Sequence, residues 1–223
     1  MAVLPERFKR IKSVLNRRIE NLTVLVESVN KPHNLSAIIR SCDAAGVHQA
    51  HFLSKSRDMQ TFNSTAQGSQ KWVGIKNHDS KSAAISYLRK KDFILYGTSF
   101  NKKSIDYREL DFTKNTCFVL GSEKWGLSDE LISQVDESIY IPMSGMVQSL
   151  NVSVAAAILL FEAVRQRYDN GSLPTKGEGL QKDVYEKTLF KWTYPELVNI
   201  YKQSGKKYPK LDDCGEIITE EEN

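Results

Sequence analysis

The sequence predicts an α/β fold, a mostly parallel sheet covered by helices on both faces, with helical N- and C-terminal extensions. Three observations carry that prediction. Short apolar runs rich in β-branched and aromatic residues recur at 22–26, 49–53, 72–76, 93–97, 117–120 and 139–141, with helical or loop segments between them. The run Leu22-Thr-Val-Leu-Val26 is apolar almost throughout, as strands covered on both faces are. The stretch from Val152 to about Tyr168 is small and aliphatic and is stopped by Asn170-Gly171, which marks a long core helix.

In chain order, residues 5 to about 21 read as a helix, with Pro5 in its first turn and Phe8, Ile11, Leu15 and Ile19 on one stripe. Arg7, Lys9, Arg10, Lys12, Arg17 and Arg18 cover the rest, with Glu20 the one anion after Arg7. That density of cations exceeds what solubility needs and suits nucleic-acid phosphates. After the first strand, Asn34 is the natural cap of a helix with Leu35, Ile38, Ile39 and Cys42 inward and Gly46 as its stop. Ser36, Arg40 and Asp43 share its outer face, where Arg40 is either exposed or paired with Asp43. Lys55, Arg57 and the polar run 60–70 form a long connection, a substrate loop or an ordinary surface excursion. Ser80 caps a helix over 81–90. Beyond Gly171 the composition turns to linker, and 180–191 and 195–203 read as amphipathic helices with Val184, Leu189, Phe190, Leu197, Ile200 and Tyr201 inward. The organisation expected is a basic helix at 1–21, a central domain at 22–170 and a C-terminal extension at 171–223.

At 223 residues the chain can bury an adequate core without disulfides or metals. Cys42, Cys117 and Cys214 are widely spaced and lie in no ligand pattern, so buried reduced thiols are expected and no metal site. No apolar run reaches membrane-spanning length, and the basic N-terminus lacks an apolar signal core, so a soluble cytoplasmic protein is expected. The net charge of +4 points to a local basic patch.

Parallel sheets bind ligands outside the carboxyl ends of their strands, which directs attention to Gly97-Thr98, Leu120-Gly121 and Ile141-Pro142. Pro142 ends the last strand, a loop with Gly145 follows, and Ser149 or Asn151 can cap the long helix. Such a junction presents free main-chain donors and acceptors beside apolar walls, which suits a flat heterocycle. Gly121-Ser-Glu-Lys-Trp-Gly-Leu-Ser128 superficially matches a phosphate loop. However, Leu127 stands where the lysine should be, and Glu123 would set a carboxylate where anions must be cradled.

Ile141-Pro142-Met143 followed by Ser149-Leu-Asn-Val-Ser-Val-Ala155 resembles the third signature motif of the SpoU/TrmH family of SPOUT-class RNA ribose 2′-O-methyltransferases. The octet from Gly121 resembles the second motif and Asn34-Leu-Ser-Ala-Ile-Ile-Arg40 the first, in the family's order, over roughly residues 20–168. The basic first helix and the C-terminal helices are similar, less specifically, to the branch acting on guanosine 18 in the D-loop of tRNA.

The resemblance implies a C-terminal trefoil knot, S-adenosyl-L-methionine as cofactor, tRNA as partner and a homodimer, with no DNA substrate because DNA lacks the 2′-hydroxyl. It implies catalytic roles for Arg40, Asn34, Glu123, Ser149 and Asn151, and cofactor contacts around Thr98, Gly121, Ile141 and Leu150. Arg7, Lys9, Arg10, Arg17, Arg18, Arg165 and Arg167 are the candidate RNA contacts. The helix after Asn151, with Val152, Ala155, Ala156, Leu159 and Ala163 on a small-residue flank, is the candidate dimer element. Another tRNA position, ribosomal RNA, or a non-catalytic RNA binder of the same fold remain the alternatives at this point.

Overall fold

The computed structural model describes residues 3–27, 31–53, 71–122 and 125–218. The connection holding Lys55, Arg57 and 60–70 lies outside the described residues, as does Glu123. The chain divides into two compact units, one of residues 20–173 and one joining 1–19 to 174–223.

In the larger unit, β1 (Leu22–Glu27), β2 (Gln49–Leu53), β3 (Gly74–His78), β4 (Ile94–Thr98), β5 (Ile105–Asp106), β6 (Thr116–Leu120) and β7 (Glu137–Tyr140) form one sheet. Its order is β3-β2-β1-β6-β4-β7-β5, and every pairing is parallel. The helices are α2 (Pro32–Ala44), α3 (Lys81–Arg89), the short α4 (Asp129–Ile132) and the long α5 (Val152–Asp169). Alternation along the central strands feeds two cores. Leu25, Leu95, Cys117 and Val119 face Ala84, Ile85 and Leu88 of α3 in one apolar cluster. On the other side α5 meets β1 and β6 and packs along α2, with Ala156, Leu159, Leu160 and Ala163 buried.

Some expected features are shifted. The third and fourth strands begin two and one residues later than expected, at Gly74 and Ile94. Helix α2 begins at Pro32 with Lys31 as its N-cap, because proline's fixed φ and missing N–H suit the first helical position. Asn34, expected as the cap, is therefore inside the helix and buried.

In the smaller unit, α1 (Pro5–Leu15) packs on α6 (Lys182–Thr193), and α7 (Val198–Ser204) follows. Phe8, Ile11 and Leu15 are buried as the stripe requires, but α1 ends at Asn16 rather than near 21. The Asn16 side chain there accepts the Tyr185 hydroxyl at 2.7 Å. Leu189 and Phe190 face inward, whereas Ile200 is exposed, contrary to the amphipathic reading of 195–203. Cys42 and Cys117 are buried reduced thiols, while Cys214, expected inside, is exposed in a turn.

Candidate functional site

Strands β6, β4 and β7 are neighbours and run the same way, so Gly121, Thr98 and Ile141 leave the sheet side by side. There the structure opens a cleft of about 1040 Å³, and Thr98, Gly121, Ile141, Ser149 and Leu150 all line it. Its floor is aliphatic, with Leu120, Ile139, Val152 and Leu159 buried beneath it.

The glycine wall is pressed tightly together. The Ser122 and Gly126 main chains exchange hydrogen bonds in both directions at 2.9 Å, and Gly126 turns with φ of +66°. A Cβ on Gly121 would lie 2.1 Å from the Gly126 carbonyl carbon and 2.3 Å from the Leu127 nitrogen, so only glycine fits. Opposite, residues 141–150 make no main-chain hydrogen bond outside the sheet and helices among the described residues. Most of these residues line the cleft, so it is edged by main-chain donors and acceptors with no partner among the described residues.

Among the described residues, no lining side chain carries a full charge at neutral pH. The polar lining groups are the hydroxyls of Thr98, Ser99, Ser122, Tyr140 and Ser149 and the amide of Gln148. Thr98 Oγ1 is turned back to the Val119 carbonyl at 3.2 Å. Walls whose described side chains are uncharged, with free main-chain groups, fit a purine nucleoside. Sequence reasoning missed the mouth of the cleft, where exposed Phe100 packs edge-on against Tyr140 with ring centroids 5.5 Å apart. The one available signal was an aromatic residue placed just past the end of β4.

Two candidate catalytic asparagines meet beside the cleft. Asn151 caps α5, its Oδ1 accepting the Ser153 N–H at 2.8 Å, while its Nδ2 donates to Asn34 Oδ1 at 3.2 Å. Their amides join α2 to α5 at the mouth of the helix. Arg40 lies about 9 Å farther along α2 by helical rise. It is exposed, is not part of the cleft lining, and has no hydrogen bond or ion pair among the described residues, so the pairing with Asp43 is not made.

The candidate RNA contacts divide by exposure. Lys9, Arg10 and Arg17 are exposed, Arg17 folding back on Ser13. Arg7 is exposed but spends two N–H groups on the Trp192 and Thr193 carbonyls, and Arg165 is paired with Glu162 and Asp169. Arg18 and Arg167 are each only 1 % exposed, and this removes them as phosphate contacts. Arg18 lies over the Trp192 ring. Arg167 donates to the Ala163, Asn21 and Lys114 carbonyls, and burial pushes its pKa down to about 10.

A parallel sheet with a nucleoside-sized cleft at three strand ends, whose described side chains are uncharged and which is walled by glycines and a capped loop, defines an α/β nucleotide-cofactor enzyme. The chain belongs to the SpoU rRNA Methylase family, whose model matches residues 21–161, and the SpoU rRNA methylase C-terminal model matches 165–220. It is similar to the tRNA (guanosine(18)-2′-O)-methyltransferase of Escherichia coli, at 42 % identity over 96 % of this chain and 93 % of that one. The protein of that name from Thermus thermophilus is 48 % identical over 83 % of this chain and 95 % of its own. Among solved structures, a TrmH/SpoU tRNA modifying enzyme from A. aeolicus matches with TM-score 0.76 at 37 % identity, over 86 % of this chain and 98 % of that one. The SpoU methyltransferase AviRb from Streptomyces viridochromogenes, solved with the cofactor AdoMet, matches with TM-score 0.61 at 31 % identity, over 68 % and 62 %.

Proposed function

We propose that the protein transfers a methyl group from S-adenosyl-L-methionine to the ribose 2′-hydroxyl of guanosine 18 in the D-loop of tRNA. The observation that carries this reading is the cleft itself, whose uncharged walls and unspent main-chain groups suit the adenosine half of that cofactor. The names of the bacterial relatives, which match nearly end to end, supply the RNA and the position.

When bound, the cofactor supplies a methyl group on a positive sulfur, a ready leaving group. Main chain around Thr98, Gly121, Ile141 and Leu150 holds it. A ribose hydroxyl is a weak nucleophile, so the protein must hold it in line and ease the loss of its proton. Arg40 is a donor of fixed geometry with no acceptor atom, well matched to a neighbouring phosphate or a forming alkoxide. Ser149, at the cleft, and the Asn34–Asn151 pair orient the ribose, and Glu123 completes the set.

The same reading includes a trefoil knot, in which the segment after Ile141 passes through an earlier loop. Its return across the ends of β4 and β6 to line one cleft with Thr98 and Gly121 supports this. It also includes a homodimer, supported by Val154, Phe161 and Tyr168, seven residues apart on α5 and all exposed. Arg40 stands outside the cleft wall of its own chain, which fits a site completed by RNA and a second copy. Lys9, Arg10 and Arg17, with Arg7 and Arg165 in part, contact tRNA phosphates, and the unpaired loop base is read by shape and stacking. DNA offers no acceptor hydroxyl. No helix among the described residues is long and apolar enough to cross a membrane. A tRNA substrate supports a cytoplasmic location.

The test is incubation with labelled S-adenosylmethionine and unmodified tRNA transcript, digestion, and identification of the nucleoside and its position, with Arg40→Ala in parallel. We expect 2′-O-methylguanosine in the D-loop, lost in the variant while cofactor binding persists. Methylation of ribosomal RNA alone, or full activity in Arg40→Ala, contradicts the assignment.

A further inference from the structure

Glu27 ends β1, a strand otherwise made of apolar residues and Thr23, and it is 5 % exposed. A carboxylate in such a place must be held by several partners. Its Oε2 accepts the Ser128 N–H at 2.8 Å, and its Oε1 pairs with the Lys81 ammonium at 2.9 Å. Lys81 also donates to Ser128 Oγ at 2.8 Å and pairs with Glu130 at 3.1 Å. Ser128 Oγ in turn caps α4 by accepting the Leu131 N–H. Burial is the largest single influence on Glu27 and opposes its charge. The Ser128 N–H, the Lys81 ammonium and the Ser128 hydroxyl together outweigh it and hold the carboxyl below its ordinary range.

Two features make this more than a surface ion pair. Lys81 is the first residue of α3, where the helix dipole disfavours a cation, so its placement is explained by the carboxylates it meets. And replacing a buried pair with apolar residues is often neutral or stabilising, so packing alone gives no reason to keep one at a strand end.

The position of the node supplies the reason. Ser128 is the exit of the glycine segment, two residues past Gly126, and Leu127 between them is anchored in the core beside Leu131. Holding Ser128 therefore presses Gly126 onto Gly121 and Ser122, the wall of the cleft. From its other side, Glu27 leads within a few residues into α2, which bears Asn34 and Arg40.

We propose that Glu27 is a positioning residue for the cofactor site: through Ser128 and Lys81 it sets the place of Gly126 against Gly121 and Ser122. This rests on the methyl-donor reading of the cleft. The full-length protein is compared with Glu27→Gln, Lys81→Met and the double variant. The measurements are calorimetric affinity for S-adenosylmethionine, KM for cofactor and for tRNA, kcat, and the thermal midpoint without cofactor. Glu27→Gln keeps the size and an acceptor oxygen but removes the charge. It should weaken cofactor affinity about tenfold, with kcat within about threefold and KM for tRNA unchanged. Lys81→Met should weaken affinity by less, and the double variant should be no worse than Glu27→Gln, because the two act through one node. Affinity within about twofold of the unaltered protein in Glu27→Gln overturns the positioning role alone. Equal losses for cofactor and tRNA with a large fall in midpoint also overturn it, by showing a purely structural role. Absence of cofactor binding by the unaltered protein overturns the methyl-donor reading, and this proposal with it.

Discussion

Gly121→Ala tests how much of the cofactor site is set by one close backbone approach. The new methyl group would stand 2.1 to 2.3 Å from the main chain of Gly126 and Leu127, where carbon contacts settle near about 3.5 Å. The wall must therefore retreat by more than about 1 Å. Overpacking of this kind costs about 1–3 kcal/mol, and straining the two Ser122–Gly126 hydrogen bonds adds about 1 kcal/mol each. Because the strain sits in a loop, the segment can open locally, so the stability loss lies at or below the sum, on the order of 3–5 kcal/mol. A displacement of about 1 Å at a binding wall can cost up to about a hundredfold in function. Calorimetry should show affinity for S-adenosylmethionine reduced at least about tenfold, with a midpoint lower by no more than about 20 °C. Gly145→Ala is the control, since it lines the same cleft and its added Cβ meets nothing within 4 Å. It should bind the cofactor as the unaltered protein does. Unchanged affinity in Gly121→Ala, or equal loss in both variants, would refute the argument from close approach.

Four further outcomes are expected. Asn151→Ala removes both the α5 cap and one hydrogen-bond partner of buried Asn34, so denaturant titration should show a loss of about 2 kcal/mol. Buried His51 donates or accepts across 3.0 Å to His78, beside Tyr87, Lys76, Lys91 and Asp79, and burial, then His78 and the lysines, push its pKa down to about 3. The folded protein thus refuses a proton that the unfolded chain accepts below about 6.5, so stability is full above that pH and falls by about 2 kcal/mol from pH 7 to 5. His51→Gln should flatten this dependence, and parallel curves for the two proteins would contradict it. Lys9→Ala and Arg10→Ala should each lower the salt slope of tRNA binding by about 1 with stability intact. Arg167→Met should instead destabilise, because three carbonyls lose their donor.

The cleft was legible in the sequence because its parts are local. Apolar runs read as ending at Gly97, Leu120 and Ile141, within one residue of the observed strand ends at Thr98, Leu120 and Tyr140, mark the carboxyl edge of a parallel sheet, and Asn151 announces its helix one residue ahead. What escaped depends on long-range partners. Asn34 looked like a cap, but Pro32 takes the helix start and leaves Asn34 to meet a residue 117 positions away. Arg18 and Arg167 looked like surface cations, since nothing nearby in sequence shows the Trp192 ring or the Asn21 and Lys114 carbonyls that hold them inside. Gly121 read as a motif glycine, and the backbone pressed against its Cα became visible only once the wall was folded.

The most direct measurement is methyl transfer to a tRNA carrying a single 2′-deoxyguanosine at position 18, beside the same tRNA with ribose there. The account predicts transfer to the ribose form and none to the deoxy form, with the deoxy tRNA still binding and competing as an inhibitor. Equal transfer to both would place the methyl group on another atom or another nucleotide, and would contradict the account.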